Sequence, residues 1–189
     1  MKVTHILQVG CGLGPSHLGQ FDYLTVSIND MENVDIVAEL PDMLSFIDKA
    51  IAGGGVVLVH CMMGISRSAS TVIAYLMWKE RIGFVTAAER VYAARPFISP
   101  NPGFVLQLRL WEKMGMDFAA WPGWSRIKFL QAMEEAGGLE NCILENILEQ
   151  QQQQEEKSRP EEEKPSAKQQ EALGQLAQEQ PPGQLQVVQ

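Results

Sequence analysis

Residues 59–68 read Val-His-Cys-Met-Met-Gly-Ile-Ser-Arg-Ser, and the predictions for this chain begin there. The run Val56–Val59 is rich in β-branched residues and predicts a strand buried on both faces. Apolar residues after the stretch recur at helical spacing and predict a helix from about residue 68 to residue 79. Residues 60–67 therefore form the loop between the carboxyl end of a strand and the start of a helix.

A loop of this kind can bind an anion through its backbone. Several N–H groups point into one concavity, and the dipole of the following helix adds positive potential there. The candidates to bind a phosphate are the amides of the loop residues Met62, Met63, Gly64, Ile65 and Ser66. Gly64 allows the backbone to curl closely around the anion, because it has no side chain to crowd it.

Two side chains of the loop carry the predicted chemistry. Arg67 follows Cys61 by six positions, so its guanidinium can curl back beside the sulfur and hold two phosphate oxygens. The field that binds phosphate also favours the thiolate of Cys61 and makes this sulfur a nucleophile. The alternative is that Cys61 is a buried core thiol and Arg67 a surface charge.

The pattern His60-Cys61-x-x-Gly64-x-x-Arg67-Ser68 resembles the signature loop of the cysteine-dependent protein-tyrosine phosphatase superfamily. Its second half, residues 64–68, is most similar to the dual specificity phosphatases, here of the small, atypical, single-domain type. The similarity covers most of residues 4–117 and includes the stretch Ser99–Phe104. The resemblance implies hydrolysis of phosphotyrosine and phosphoserine or phosphothreonine through a phosphocysteine intermediate, with no cofactor and no metal.

The resemblance also implies a proton donor, an aspartate about 30 residues before the cysteine. Asp30 occupies that position, at the end of a strand predicted from the alternation of Leu24, Val26 and Ile28. A simple turn aspartate is the alternative for Asp30. Glu32 and Asp35 compete for the acid's role, although Asp35 is more typical of a helix cap.

Three further polar residues have predicted roles. Ser68 can donate a hydrogen bond to the sulfur and ease its departure, or it is an ordinary serine at a helix start. His60 is expected to hold the backbone of the loop, as its family counterpart does. Asn101 is predicted to cap a helix that begins at Pro102, and it is left outside the site.

The rest of the folded part alternates strand and helix patterns. Together they predict an α/β fold, with a central, mostly parallel sheet flanked by helices. A strand is predicted at His5–Val9, and a helix is predicted from Pro41 with Leu44, Ile47 and Ile51 on one face. A capping box at Thr86 and Glu89 predicts a further helix, and a Gly10-x-Gly12-x-Gly14 run follows the first strand. That glycine run is reminiscent of a nucleotide loop, but no helix pattern follows it, so the signal is weak.

Composition divides the chain of 189 residues into three parts. Residues 1–117 are predicted to be the catalytic domain, with a first strand closer to residue 1 than in related domains. Residues 118–149 are predicted to be a helical extension. Residues 150–189 are rich in Gln, Glu and Pro and are predicted to be a disordered tail. Leu139, Ile143 and Ile147 could form one face of a short helix for a partner.

Charge and cysteine content narrow the class of function. The net charge of -8 and the pI of about 4.9 argue against a nucleic-acid or anionic-membrane binder. Three cysteines at irregular spacing predict a reducing, intracellular setting, in the cytoplasm or the nucleus.

The expected partner is a phosphoprotein substrate, and the oligomeric state is not predicted. A pseudophosphatase that only binds phosphoproteins is the alternative function, and a scaffold acting through its C-terminal segment is another.

Overall fold

A parallel sheet of three strands organises the part of the chain that the computed structural model describes, residues 2–135. The strands are β1 (His5–Val9), β2 (Asp22–Val26) and β3 (Val57–His60), in the order β2-β1-β3. His5 pairs with both Asp22 and Val57, so the three strands run in register from their first residues. The predicted α/β architecture is confirmed. The predicted tail and the stripe Leu139, Ile143 and Ile147 lie outside the described residues.

Helices follow the strands along the chain. A 3₁₀ turn (Val37–Glu39) leads into α1 (Leu40–Ala52), and β3 is followed by α2 (Arg67–Glu80), α3 (Phe84–Ala94), α4 (Pro102–Lys113) and α5 (Arg126–Glu135). The predicted cap of α4 is present, because the side-chain oxygen of Asn101 accepts a hydrogen bond of 3.0 Å from Phe104 N–H. No helix among residues 2–135 is long and apolar enough to span a membrane.

A single hydrophobic cluster joins the sheet to the helices. Its fully buried members include Leu7 of β1, Leu44 of α1, Ile73 of α2, and Leu108 and Trp111 of α4. Each large apolar side chain buried in this way contributes about 1.5–3 kcal/mol relative to exposure. The cluster therefore fixes α2, and with it the loop before α2, against the carboxyl ends of the strands.

Three details of the predicted elements were wrong. Ile51 is exposed, because the buried stripe of α1 continues from Ile47 to Ala50 instead. Helix α3 starts at Phe84, ahead of the supposed capping box, since burial of that ring in the core adds a turn. Strand β3 is not buried on both faces, because the side chain of Leu58 is 45% exposed.

We expect Leu108→Ala to lower the free energy of unfolding by about 2–5 kcal/mol, because it leaves a cavity in the hydrophobic core. Urea denaturation measures this change. Leu130→Ala, which truncates an exposed leucine of α5, is the matched control and should change stability by no more than about 0.5 kcal/mol. Equal losses in the two variants would contradict the described core.

Candidate active site

The loop between β3 and α2 closes on itself around Cys61. Gly64 has a φ angle of +67°, which glycine adopts without strain. A Cβ atom at this position would also lie 3.0 Å from Arg95 Nη2. The same guanidinium donates from Nε to the carbonyl oxygen of Gly64 at 3.0 Å and so braces the loop from outside. Gly64 is thus required by the backbone angle and by the close packing of Arg95.

The Cys61 thiol is buried and surrounded by hydrogen-bond donors. Its sulfur lies 3.2 Å from Ser68 Oγ and accepts a bond from Gly64 N–H at 3.3 Å. Burial raises the pKa of Cys61, but hydrogen bonds from the Ser68 hydroxyl and from the N–H groups of Ser68, Gly64 and Met63 outweigh it. The net result is a pKa below the ordinary value for a thiol. Donors from the loop and from α2 therefore make this thiol more acidic than an ordinary cysteine.

The Arg67 guanidinium lies between the loop and the segment that follows β2. Its Nη1 donates to the carbonyl oxygen of Ile28 at 3.2 Å, and its Nε lies 3.8 Å from Asp30 Oδ2. Nε is buried and has no hydrogen-bond acceptor among residues 2–135. A buried donor without an acceptor is costly, and an anionic oxygen bound in the loop would satisfy it.

Gly10 is a residue of the site that sequence reasoning missed. A Cβ atom at this position would lie 2.8 Å from Arg67 Nη1, so the guanidinium occupies space that only glycine leaves free. Gly10, the first glycine of the run after β1, therefore leaves room for the Arg67 guanidinium. The run was visible in the sequence, but its contact with Arg67 joins residues far apart in the chain.

Asp30 lies beside the loop, where the resemblance implied a proton donor. Its Oδ1 accepts two hydrogen bonds, from Ser66 Oγ at 2.6 Å and from Asn101 Nδ2 at 2.7 Å. With Oδ1 occupied by two donors, Oδ2 is the oxygen that can carry a transferable proton. The Asp30 side chain is 34% exposed, so a leaving group can approach it.

Asn101 is the second residue that the sequence analysis left outside the site. Its Oδ1 caps α4, its Nδ2 donates to Asp30, and its backbone N–H donates to Ser66 Oγ at 3.0 Å. Through its side-chain amide and its backbone N–H, this one residue links the start of α4, the Asp30 carboxylate and the loop between β3 and α2. The sequence held an indication of this second contact. An asparagine that caps a helix accepts through Oδ1, so both N–H donors of its side chain remain free for another partner.

The two competing carboxylates have different surroundings. Asp35 accepts from Ala38 N–H at 3.0 Å, the capping role predicted for it, and it also accepts bonds from Trp121 and Trp124. The carbonyl oxygen of Glu32 accepts from the ring N–H of Trp124 at 2.8 Å. The structure therefore joins Asp30, and neither competitor, to Ser66 of the loop.

The remaining predicted residues lie along the same loop. His60 Nδ1 is 3.2 Å from the carbonyl oxygen of Cys61, a distance at which a proton on Nδ1 would brace the loop backbone. The carbonyl of Ile65 accepts from Ser99 N–H at 2.9 Å. Met62 and Met63 are 61% and 68% exposed, so their side chains project from the loop. The predicted site residues thus lie on one stretch of chain around the loop, and Ser66 joins Asp30 to that stretch.

Comparison with known proteins agrees with this geometry. Residues 1–114 match the family model described as dual specificity phosphatase, catalytic domain. The chain belongs to the dual specificity phosphatase family. It is 47% identical over 111 residues to dual specificity protein phosphatase 19 of Mus musculus, an alignment that covers 59% of this chain and 50% of the relative. The chain therefore spans about half the length of this mouse relative.

Two other relatives give the same result. Dual specificity protein phosphatase 1B of Arabidopsis thaliana is 44% identical over 112 residues, which covers 59% of this chain and 67% of the relative. The crystal structure of a human tyrosine phosphatase-like serine/threonine/tyrosine-interacting protein has a TM-score of 0.58 and 36% identity, over 61% of this chain and 80% of the other. Sequence and fold thus agree on this dual specificity phosphatase domain.

We expect Ser68→Ala to raise the pKa of Cys61, because the thiolate loses its side-chain donor while its burial remains. The rate of alkylation of Cys61 by iodoacetamide, followed on the Cys61 peptide by mass spectrometry, should then rise at higher pH than in the wild type. Ser70→Ala is the control, since this buried serine of α2 donates to the Ser66 carbonyl and not to the sulfur. An unchanged profile for Ser68→Ala would show that the hydroxyl does not stabilise the thiolate.

Proposed function

We propose that the protein is a phosphatase that hydrolyses phosphotyrosine and phosphoserine or phosphothreonine on proteins through a phosphocysteine intermediate. One observation carries the proposal: a thiol with a lowered pKa shares its loop with a buried guanidinium N–H that has no acceptor among residues 2–135. The first group is a nucleophile, and the second is a donor prepared for a phosphate oxygen.

The first step transfers the phosphoryl group to sulfur. The phosphate dianion binds to the N–H groups of residues 62–66 and to Arg67, and the Cys61 thiolate attacks phosphorus from the opposite side to the leaving oxygen. The S–P bond forms as the P–O ester bond breaks, and the electron pair of that bond remains on the leaving oxygen. The proton on Asp30 Oδ2 passes to this oxygen, so the product leaves as a neutral alcohol or phenol.

The second step returns the enzyme to its starting state. Water attacks the phosphorus of phosphocysteine, Asp30 takes one of its protons, and the S–P bond breaks with its electron pair on sulfur. Ser68 donates to the departing thiolate at a distance already 3.2 Å in the free site. Inorganic phosphate leaves, and Asp30 is protonated again for the next cycle.

The mouth of the loop supports a protein substrate over a polyphosphorylated inositol. Its exposed variable positions, Met62 and Met63, are neutral, and a highly charged head group would find no cation on either of them. Methionine side chains are flexible and contact aromatic rings favourably through sulfur, which suits the ring of phosphotyrosine. The net charge of the chain, -8, also weighs against a polyanionic ligand.

We propose an intracellular location, in the cytoplasm or the nucleus, because the mechanism needs Cys61 as a free thiolate. The described cysteines, Cys11 and Cys61, are both free thiols. A reducing compartment keeps thiols in this state. The presence of Cys61, Arg67 and Asp30 argues against a pseudophosphatase that only binds phosphoproteins, and turnover of a phosphate ester distinguishes it from the proposed enzyme.

Cys61→Ser is expected to abolish turnover but to retain phosphopeptide binding, because the serine hydroxyl stays protonated while the amides and Arg67 remain. Steady-state hydrolysis and binding of a phosphotyrosine peptide, measured side by side, test this. Cys11→Ser, at an exposed thiol, is the control and should keep wild-type turnover. Hydrolysis at the wild-type rate by the Cys61 variant would refute the nucleophile.

Arg67→Lys should lower kcat/KM by about 10²-fold, because an ammonium cannot hold two phosphate oxygens in the plane of a fork. Arg90→Lys changes an exposed arginine that pairs with Glu80 and serves as the control. Equal kinetics for the Arg67 variant and the wild type would put the guanidinium outside the phosphate site.

Asp30→Asn should lower turnover of an alkyl phosphate, such as a phosphothreonine peptide, by about 10²-fold, because the leaving alkoxide then lacks a proton. An aryl phosphate with a good leaving group should lose little, since its oxygen hardly needs the proton. Asp42→Asn, on an exposed carboxylate of α1, is the matched control. A loss of the same size on both substrates would mean that another residue is the acid.

A further inference from the structure

The segment between α4 and α5 lies beyond the stretch that matches the family model, which ends at residue 114. It carries two tryptophans, Trp121 and Trp124, whose rings stack with centroids 6.4 Å apart and an interplanar angle of 21°. We call this pair the tryptophan clamp. Its partners lie in the acid loop, defined as residues 27–36 between β2 and the 3₁₀ turn.

The clamp makes four hydrogen bonds to the acid loop. The ring N–H of Trp121 lies 3.0 Å and 3.1 Å from the two carboxylate oxygens of Asp35. The backbone N–H of Trp124 donates to Asp35 Oδ2 at 2.7 Å, and its ring N–H donates to the carbonyl oxygen of Glu32 at 2.8 Å. Three of these contacts involve a carboxylate and are therefore charge-assisted.

The clamp is itself fixed to the domain. Phe118 stacks on the buried ring of Trp111 in α4, with centroids 5.0 Å apart. The ammonium of Lys128, in α5, lies 2.6 Å from the carbonyl oxygens of Pro122 and Gly123 and closes the turn between the two tryptophans. The clamp is thus connected to the core on one side and to α5 on the other.

The clamp adds to the other contacts that hold the acid loop. Residues 27–36 form no helix or strand, and Asp30, Met31 and Glu32 are all exposed. Arg67 holds the backbone of this loop before Asp30, at Ile28, and the buried Gln107 holds it at Val34 and Ile36. The Asp30 carboxylate itself is tied to Ser66 and Asn101. The clamp fixes that backbone two residues later, at Glu32, and anchors the end of the loop at Asp35.

We propose that the tryptophan clamp positions the acid loop, so that Asp30 stays aligned with the leaving oxygen of the substrate. Trp121 and Trp124 are then positioning residues for proton transfer, contributed by the segment that follows the matched catalytic domain. The proposal rests on the proposed phosphatase function. It predicts a selective defect, because the clamp touches neither Cys61 nor the phosphate loop in the described contacts.

The test uses the full chain with Trp121→Phe and Trp124→Phe combined, which keeps two aromatic rings and removes both ring donors. We expect kcat/KM for a phosphothreonine peptide to fall by about tenfold, and that for 4-nitrophenyl phosphate by less than about twofold. Trp78→Phe, on α2, is the matched control and should leave both values unchanged. In an Asp30→Asn background the two tryptophan changes should cause no further loss, since the proton that they align is absent.

A second variant covers the case in which the double substitution does not fold. Lys128→Met leaves both tryptophans in place but removes the bonds that close their turn, and it should give the same selective loss with a smaller size. Equal losses on both substrates, no loss in either variant, or a full additional loss in the Asp30→Asn background would overturn the positioning role.

Hydrogen exchange separates this proposal from the proposed function. In the clamp variants, the backbone amides of residues 29–36 should exchange faster while those of residues 62–68 keep their wild-type rates. Unchanged exchange in residues 29–36 would overturn the clamp whatever the activity. A wild-type protein that hydrolyses neither substrate would instead refute the phosphatase function, and with it the catalytic purpose of the clamp.

Discussion

The buried Cys61 thiol, with its pKa lowered below the ordinary value by hydrogen-bond donors, is the feature on which the proposed chemistry depends. Burial alone would keep Cys61 protonated, so the site must supply donors that offset the desolvation of a negative sulfur. Those donors are a hydroxyl and backbone N–H groups from the loop and the start of α2, and they converge only if β3 ends where α2 begins. The parallel sheet and the buried side chains of α1, α2 and α4 hold these two elements in place.

A second constraint is that the acid must face the thiolate from a different segment of the chain. Asp30 comes from the segment after β2, and its Oδ1 accepts hydrogen bonds from both Ser66 and Asn101. Ser66 belongs to the phosphate loop and Asn101 to the start of α4. Two short hydrogen bonds therefore couple the Asp30 carboxylate to the loop that carries Cys61 and to the start of α4, and a shift of α4 would displace this carboxylate as well.

Sequence patterns predicted the local parts of this account and missed the parts that depend on distant contacts. Residues 59–68, the strand His5–Val9 and the asparagine cap at Asn101 have signals within a few residues of each other. Three contacts join residues between 57 and 86 positions apart. They are the contact of Arg67 with Gly10, the hydrogen bond from Asn101 to Asp30, and the hydrogen bond from Trp121 to Asp35. Such contacts leave no short-range pattern. The wrong start of α3 has the same origin, since burial of Phe84 outweighed a local capping signal.

The central claim is that phosphorus becomes bonded to Cys61 during turnover. Ser68→Ala should slow the second step, since the departing thiolate loses a donor, and so should let the intermediate accumulate. The direct measurement is a rapid acid quench of this variant with a phosphotyrosine peptide, followed by mass spectrometry of its own proteolytic peptides. The account predicts one added phosphoryl group on Cys61, absent in Cys61→Ser. Turnover with no covalent phosphoryl group, or with the group on another residue, would contradict it.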